Sequence, residues 1–168
     1  MRKKLIIING VMGSGKTTVS KSLYKELENC FWLDGDNVWH MNPFVVNDEN
    51  KKMVLDNIAY IINNFLKNKS SEYVLFNWVI HTDEIMNTIL KKLDITDVDV
   101  FKITLMCEKD ELIRRISKDI KLGLRDKSNI KRSLDKNKLY EGMNTIKINT
   151  SNKEVSEIVS EIKIKIVN

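Results

Sequence analysis

Leu5-Ile-Ile-Ile-Asn-Gly-Val-Met-Gly-Ser-Gly-Lys-Thr-Thr18 decides the fold of this chain. An apolar run ends in Gly10, and Gly10 opens the pattern G-x-x-x-x-G-K-T, whose successive backbone N–H groups build a cradle for phosphate oxygens. Gly10 lets the chain leave a strand sharply. Gly13 and Gly15 can take φ > 0 and bring bare backbone up to a polyphosphate. Met12 and Ser14 fill the loop between them, and Thr18 follows it. Lys16 falls at a helix N-terminus, where the dipole favours anions, and would reach the β- and γ-phosphates. The Thr17 hydroxyl would be a ligand of Mg²⁺. Val19, Leu23 and Leu27 then recur at helical spacing. Strand before and helix behind is the context that separates a phosphate loop from a Gly-rich turn.

The length of 168 residues suits one domain with a real core and leaves no room for a second of ordinary size. Apolar residues make up 42% and charged residues 30%, the balance of a soluble globular chain. Pro43 is the only proline, and no linker, repeat or low-complexity segment interrupts the pattern. The net charge of +5 favours anionic ligands, which nucleotides satisfy and nucleic acid also would. Cys30 and Cys107 each adjoin an apolar run and read as buried free thiols. No apolar stretch approaches the ~20 residues that span a membrane. Met1-Arg-Lys-Lys4 leads straight into the first strand rather than through a signal peptide, so the expected compartment is cytoplasmic.

Apolar runs and stripes alternate along the chain. Strands are expected over Lys4–Asn9, Cys30–Leu33, Tyr73–Ile80, Asp99–Met106 and Thr145–Asn149. Helices are expected over Lys16–Glu28, Glu49–Asn68 with Asp48 as cap, Asp83–Lys92 capped by Thr82, and Lys109–Lys121. A last helix starts from a capping box, Ser151-x-x-Glu154. Residues 122–144 are polar and basic and contain a helical segment. Val38–Val46 is irregular and aromatic, a loop or short helix. Alternation of this kind predicts an α/β fold: a single P-loop NTPase domain with a five-stranded parallel sheet flanked by helices.

These residues resemble the P-loop kinases of the nucleoside-monophosphate kinase type over most of the chain. Gly10–Thr17 matches their Walker A motif. Leu33-Asp-Gly-Asp36 is similar to the second-strand motif of gluconate and adenylylsulfate kinases and, more loosely, of shikimate kinase. Pro43–Asp48, Met53–Asn57 and Asn77–His81 resemble small bacterial P-loop ATPases with no settled substrate. Chloramphenicol phosphotransferases and tunicamycin-resistance proteins share the general plan less closely. The resemblance implies ATP and Mg²⁺ as cofactors, a short helical lid at about 114–138, an acceptor-binding region at about 36–68, and an adenine edge at Thr150 and Ser151. It also implies an Asp at the end of the third strand, where this sequence has Asn77.

Phosphoryl transfer needs positioning, charge neutralisation and an oriented nucleophile. Lys16 and the loop backbone supply the first two, with Thr17 and Asp34 around the metal. Arg114, Arg115, Arg125 and Arg132 are candidates for the charge that builds on the transferred group. Arg125 and Arg132 sit in the implied lid, and Arg115 resembles the arginine at its start. Asp36, at a strand end beside the Walker A strand, would orient or deprotonate an acceptor hydroxyl. Trp39, His40, Phe44, Asn57, Trp78 and His81 could line an acceptor pocket, although core packing is the favoured role for Trp78. Three activities fit these residues. The favoured one is a small-molecule or nucleotide kinase, with an antibiotic phosphotransferase as an alternative to it. The second is a 5′-end kinase of nucleic acid, which no aromatic interleaving of the basic run supports. The third is a nucleotide-binding switch without transfer.

Overall fold

A computed structural model describes residues 2–167. The expected domain span, 1–168, takes in Met1 and Asn168, which lie outside the described residues. The continuous apolar run forms β1 (Lys3–Gly10), and Leu5, Ile6, Ile7 and Ile8 are fully buried. Its neighbours explain why it does not alternate. With β2 (Cys30–Asp34), β3 (Tyr73–Asn77), β4 (Val98–Met106) and β5 (Ile146–Asn149), it forms one five-stranded sheet of order β2-β3-β1-β4-β5. All pairs are parallel, with Leu5 opposite Val74 on one side and Val100 on the other. A central strand covered on both faces has no solvent side on which alternation could show.

Helices α1 (Lys16–Glu26), α2 (Asp48–Lys67), α3 (Asp83–Leu90), α4 (Lys109–Lys121), α5 (Ser128–Glu141) and α6 (Val155–Val167) cover the sheet. Leu5 and Ile7 pack with Ile58 and Ile62 of α2, Met86 and Ile89 of α3, and Leu112 and Ile116 of α4. Ile6 and Ile8 pack with Val19 and Leu23 of α1 and with Ile158 and Ile162 of α6. Burying each of these side chains is worth about 1.5–3 kcal/mol, so the strand that carries the phosphate loop is the most firmly held part of the sheet. Its last polar residue, Asn9, is fully buried. Asn9 Oδ1 accepts from Gly10 N at 2.7 Å and from Ile80 N at 2.9 Å, while Nδ2 faces Thr104 Oγ1 and Met143 Sδ, each at 3.4 Å.

Several expected boundaries move for local reasons. β3 ends at Asn77 rather than Ile80: Trp78 N still donates to Ile8 O, but Ile80 N turns to the Asn9 side chain. Asn47, not Asp48, caps α2, its Oδ1 accepting from Asn50 N at 2.7 Å. Asn47 has the extended backbone that a cap needs, and Asp48 is already the first helical residue. Thr82 caps α3 as expected. The capping box at Ser151 does not form. Ser151 Oγ instead accepts from Glu108 N at 2.8 Å, at the start of α4, and α6 is closed by Glu157 accepting from Glu154 N at 2.7 Å. The basic stretch is a turn followed by a full helix, α5, whose Tyr140 is fully buried. Both cysteines are free, Cys107 buried and Cys30 half-buried.

Candidate functional site

Between β1 and α1 the chain folds back on itself, Ser14 N donating to Val11 O at 3.1 Å. α1 starts from Gly15, at φ +97, with no side chain capping its first N–H groups. Those donors and the helix dipole are left free to meet an anion. Gly13 is at φ +88, and a Cβ there would fall 2.8 Å from Ile116 Cγ1, so the loop lies directly against α4 and tolerates no larger residue. Lys16 is only 8% exposed, and its Nζ donates to Val11 O at 3.0 Å. Burial pulls its pKa down to about 8; Asp36 and Asp34 resist this, and Arg125 adds to it.

Two carboxylates close the β2 end of the site. Thr17 Oγ1 donates to Asp34 Oδ2 at 2.9 Å, and Asp34 Oδ1 accepts from Asp36 N at 3.1 Å. The second bond starts a 3₁₀ helix over Gly35–Trp39. A Cβ on Gly35 would lie 2.5 Å from Trp78 Cγ, so the indole seats on bare backbone and fixes the turn. Asp36 keeps an exposed edge, but burial of its carboxyl and the neighbouring Asp34 raise its pKa. Lys16, Trp78 and Arg125 pull the other way. The Thr17 hydroxyl and the Asp34 carboxylate are hard oxygen donors that fit Mg²⁺, which takes few protein ligands and leaves the rest to phosphates and water. No cluster of three or more His, Cys, Asp or Glu able to cage a metal occurs among the described residues. Asn77 is buried opposite Asp34, and its Oδ1 accepts from Trp32 Nε1 at 2.6 Å.

A cleft of about 540 Å³ joins the loop, Lys16, Thr17 and Asp36 to Val79 and to Arg115, Lys118, Asp119, Leu122 and Arg125. A second cavity, of about 690 Å³, continues from Gly15, Thr18 and Arg115 to Asn152 and Lys153. Arg115 sits between the two. Its Nη2 donates to Thr150 O at 2.7 Å, Nη1 to Thr150 Oγ1 at 3.1 Å and Ser14 O at 3.3 Å, and Nε to Glu111 Oε1 at 2.7 Å. Glu111 also takes a forked contact from Arg114, and the bonds from Arg114 and then Arg115 hold its pKa down to about 2. Arg125 Nε donates to Asp119 Oδ2 at 2.7 Å on the cleft wall.

The cleft therefore gathers Met12, Gly13, Gly15, Lys16, Thr17, Thr18, Asp36, Arg115 and Arg125. Arg132 is exposed on α5 and lines neither cavity. Thr150 and Ser151 are buried and spend their hydroxyls on the protein, Thr150 on Ser14 O, Met106 O and Arg115, Ser151 on Glu108 N. Trp39 and Phe44 pack with ring centroids 5.8 Å apart and planes tilted by 53°. Asn57 is exposed on α2 and lines neither cavity. His81 is half-buried; its Nδ1 meets no partner among the described residues, and burial followed by the nearby Lys136 lowers its pKa. Asp119, Lys118, Leu122 and Val79 escaped the sequence reading because nothing local marks them. Asn9 left a signal, a single polar residue closing an apolar run.

Residues 6–134 match the family model of the AAA domain. No curated protein matches the chain by sequence. Among solved structures, it resembles a gluconokinase from Sinorhizobium meliloti 1021, at 17% identity over 94% of this chain and 88% of that one, TM-score 0.68. The Deinococcus radiodurans tunicamycin resistance protein resembles it at 17% identity over 98% and 96%, TM-score 0.72. The Mycobacterium tuberculosis APS kinase CysC, in complex with AMPPNP and APS, does so at 15% identity over 99% of both chains, TM-score 0.68. At such identities the likeness is one of fold, and the fold is that of P-loop kinases.

Proposed function

The chain belongs to the AAA domain family, and from that footing we propose that it is an ATP-dependent kinase acting on a small molecule or nucleotide. The γ-phosphoryl group of Mg·ATP passes to an acceptor hydroxyl or phosphate. The observation that carries this reading is Asp36 sharing one cleft with Lys16 and Thr17. A cradle alone would bind nucleotide; a carboxylate of raised pKa facing the same space adds a group able to take a proton.

The acceptor oxygen attacks the γ-phosphorus, the new O–P bond forms as the bond to the β-bridging oxygen breaks, and ADP leaves with that electron pair. A hydroxyl acceptor's proton passes to Asp36; a phosphate acceptor attacks as the oxyanion and has none to lose. Lys16 and the loop N–H groups hold the phosphates, and Arg125, steadied by Asp119, faces the transferred group. Thr17 and Asp34 would hold Mg²⁺, which when bound offsets phosphate charge. Arg115 braces the loop against Thr150, so that the segment through Ser151 forms the edge of the adenine side. The α4–α5 segment, about 114–138, acts as lid, and 36–68 as the acceptor side. A kinase of this kind works where ATP is, in the cytoplasm.

The test is ADP release from Mg·ATP against nucleosides, nucleoside monophosphates, sugars, sugar acids, aromatic antibiotics and a 5′-hydroxyl oligonucleotide. Acceptor-dependent release that disappears in Asp36→Asn and Lys16→Ala is the expected result. Tight ATP binding with no acceptor-dependent release would overturn the assignment in favour of a switch.

A further inference from the structure

We infer that the acceptor is an uncharged hydroxyl compound with an aromatic or apolar body, lying on the surface that Trp39 and Phe44 build beside Asp36. Its chemistry rests on the kinase reading above; its binding surface does not. In a 3₁₀ helix, side chains at i and i+3 eclipse, so Asp36 and Trp39 share one face of Gly35–Trp39. Trp39 meets Phe44 at 5.8 Å, and the chain beyond stays apolar while open to solvent: Phe44, Val45 and Val46 are 66%, 41% and 56% exposed. Single exposed apolar residues need no explanation, but a run of three continuing a ring pair beside the putting-on site of a phosphate is a patch of the kind that binds. From the other wall, Leu122 lines the same cleft as Asp36, and Leu122 and Leu124 are 63% and 71% exposed on either side of Gly123.

Charge narrows the class. The chain has 28 Lys and Arg in 168 residues, yet none between Glu26 and Asn50, the stretch that carries β2, the 3₁₀ helix and the aromatic loop. The next cations, Lys51 and Lys52, are paired with Asp48 and Asp56. On the opposite wall, Arg114 and Arg115 are held by Glu111, and Arg125 by Asp119. Lys16 feels the charges of Asp36 and Asp34 and, on the kinase reading, would be committed to the triphosphate. Lys118, exposed on α4 and in no ion pair among the described residues, also lines the cavity toward Asn152 and Lys153, on the nucleotide side. An anionic acceptor on the aromatic surface would bring its charge up to Asp34 and Asp36 with no unpaired cation on the β2 side to meet it, whereas a neutral ring compound gains the ring contact.

Three glycosides separate the terms: phenyl β-glucoside, its ring-free methyl analogue, and the anionic phenyl β-glucuronide. Binding is measured by calorimetry on the full chain loaded with a magnesium complex of a non-hydrolysable ATP analogue, and ADP release is followed in parallel with ATP. We expect phenyl glucoside to bind about tenfold or more tighter than either analogue. Phe44→Ala and Trp39→Ala should erase the preference for the ring, with retained nucleotide affinity reporting an intact fold. Equal or tighter binding of the glucuronide, a ring preference that survives both variants, or no binding by any of the three would overturn the inference. Ring-selective binding without ADP release from any acceptor would leave the surface standing and remove the kinase reading. ADP release from anionic acceptors alone would do the reverse.

Discussion

Asn77 stands opposite Asp34 across the β2–β3 pair, and its amide oxygen lies 2.6 Å from the Trp32 indole nitrogen. The oxygen at the end of β3 is thus committed to Trp32, and in the proposed kinase Asp34, bonded to Thr17, would be the carboxylate left for the metal. Asp34→Asn should raise the Mg²⁺ concentration for half-maximal turnover by about tenfold or more. Asn77→Asp keeps an acceptor for the indole and adds a second acid, so it should lower that concentration. A magnesium titration of ADP release checks both.

Asp36→Asn separates stability from chemistry. Burial and Asp34 raise the Asp36 pKa above its ordinary 3.8, so just above that value the folded chain holds more protons than the unfolded chain. Stability from this group therefore falls as pH rises through the window. The variant should melt at the same temperature or higher at neutral pH, while transfer drops by on the order of 10²–10⁴. The acid limb of kcat/KM in the parent should lie above the ordinary aspartate range and vanish in the variant.

Lys16 titrates at about 8 in the free protein and at 10.5 in an unfolded chain. Between those values the unfolded chain binds more protons, so this group makes stability rise with pH. Nucleotide binding runs the other way. Phosphate needs the charged form, and above about pH 8 binding must take up a proton. The Kd for ATP should be flat below that pH and rise by at most about tenfold per unit above it, as read by calorimetry in buffers of different ionisation heat.

Three arginines should behave in three ways. Arg125→Ala removes a cation facing the cleft and should lower kcat by on the order of 10³ with a smaller change in KM. Arg115→Lys keeps the charge but loses the fork that joins Ser14 to Thr150, so KM for ATP should rise, with faster amide exchange in the loop as the sign of a positioning role. Arg132→Ala, on the exposed face of α5, should leave both constants unchanged.

Gly35→Ala should cost about 1–3 kcal/mol, because its methyl group would overlap the Trp78 ring at 2.5 Å. A chemical denaturation series checks the loss. Trp78→Ala should be less damaging in the Gly35→Ala background than alone, a coupling that a double-mutant cycle reads directly.

The phosphate loop and the parallel sheet were legible because their signals are local: glycine spacing, a continuous apolar run, and helical stripes that begin and end within a few turns. What escaped was decided between residues far apart in sequence. Ser151 has a local partner in reach at Glu154, but its hydroxyl goes to Glu108, 43 residues away. Arg115 reads as a lid cation by position and serves as a strut because Thr150 and Ser14 come to it through β5 and β1. Asn77 reads as a missing acid until Trp32 is seen to hold it. A cap or a charge can be recognised from its own neighbourhood; which of two competing partners wins depends on the packing of the whole sheet.

Asn9 carries a consequence for motion. One amide group ties Gly10, Ile80, Thr104 and Met143 together beneath the phosphate loop. The carboxyl end of β1 and the segment after β3 are thus pinned to each other and to β4 through one side chain, so they move together. On the kinase reading, rearrangement during turnover would then fall to parts that Asn9 does not hold, the α4–α5 segment with its turn at 122–127 foremost. The amide protons of Gly10 and Ile80 should then exchange together, at the rate of global unfolding, while those of the turn exchange freely.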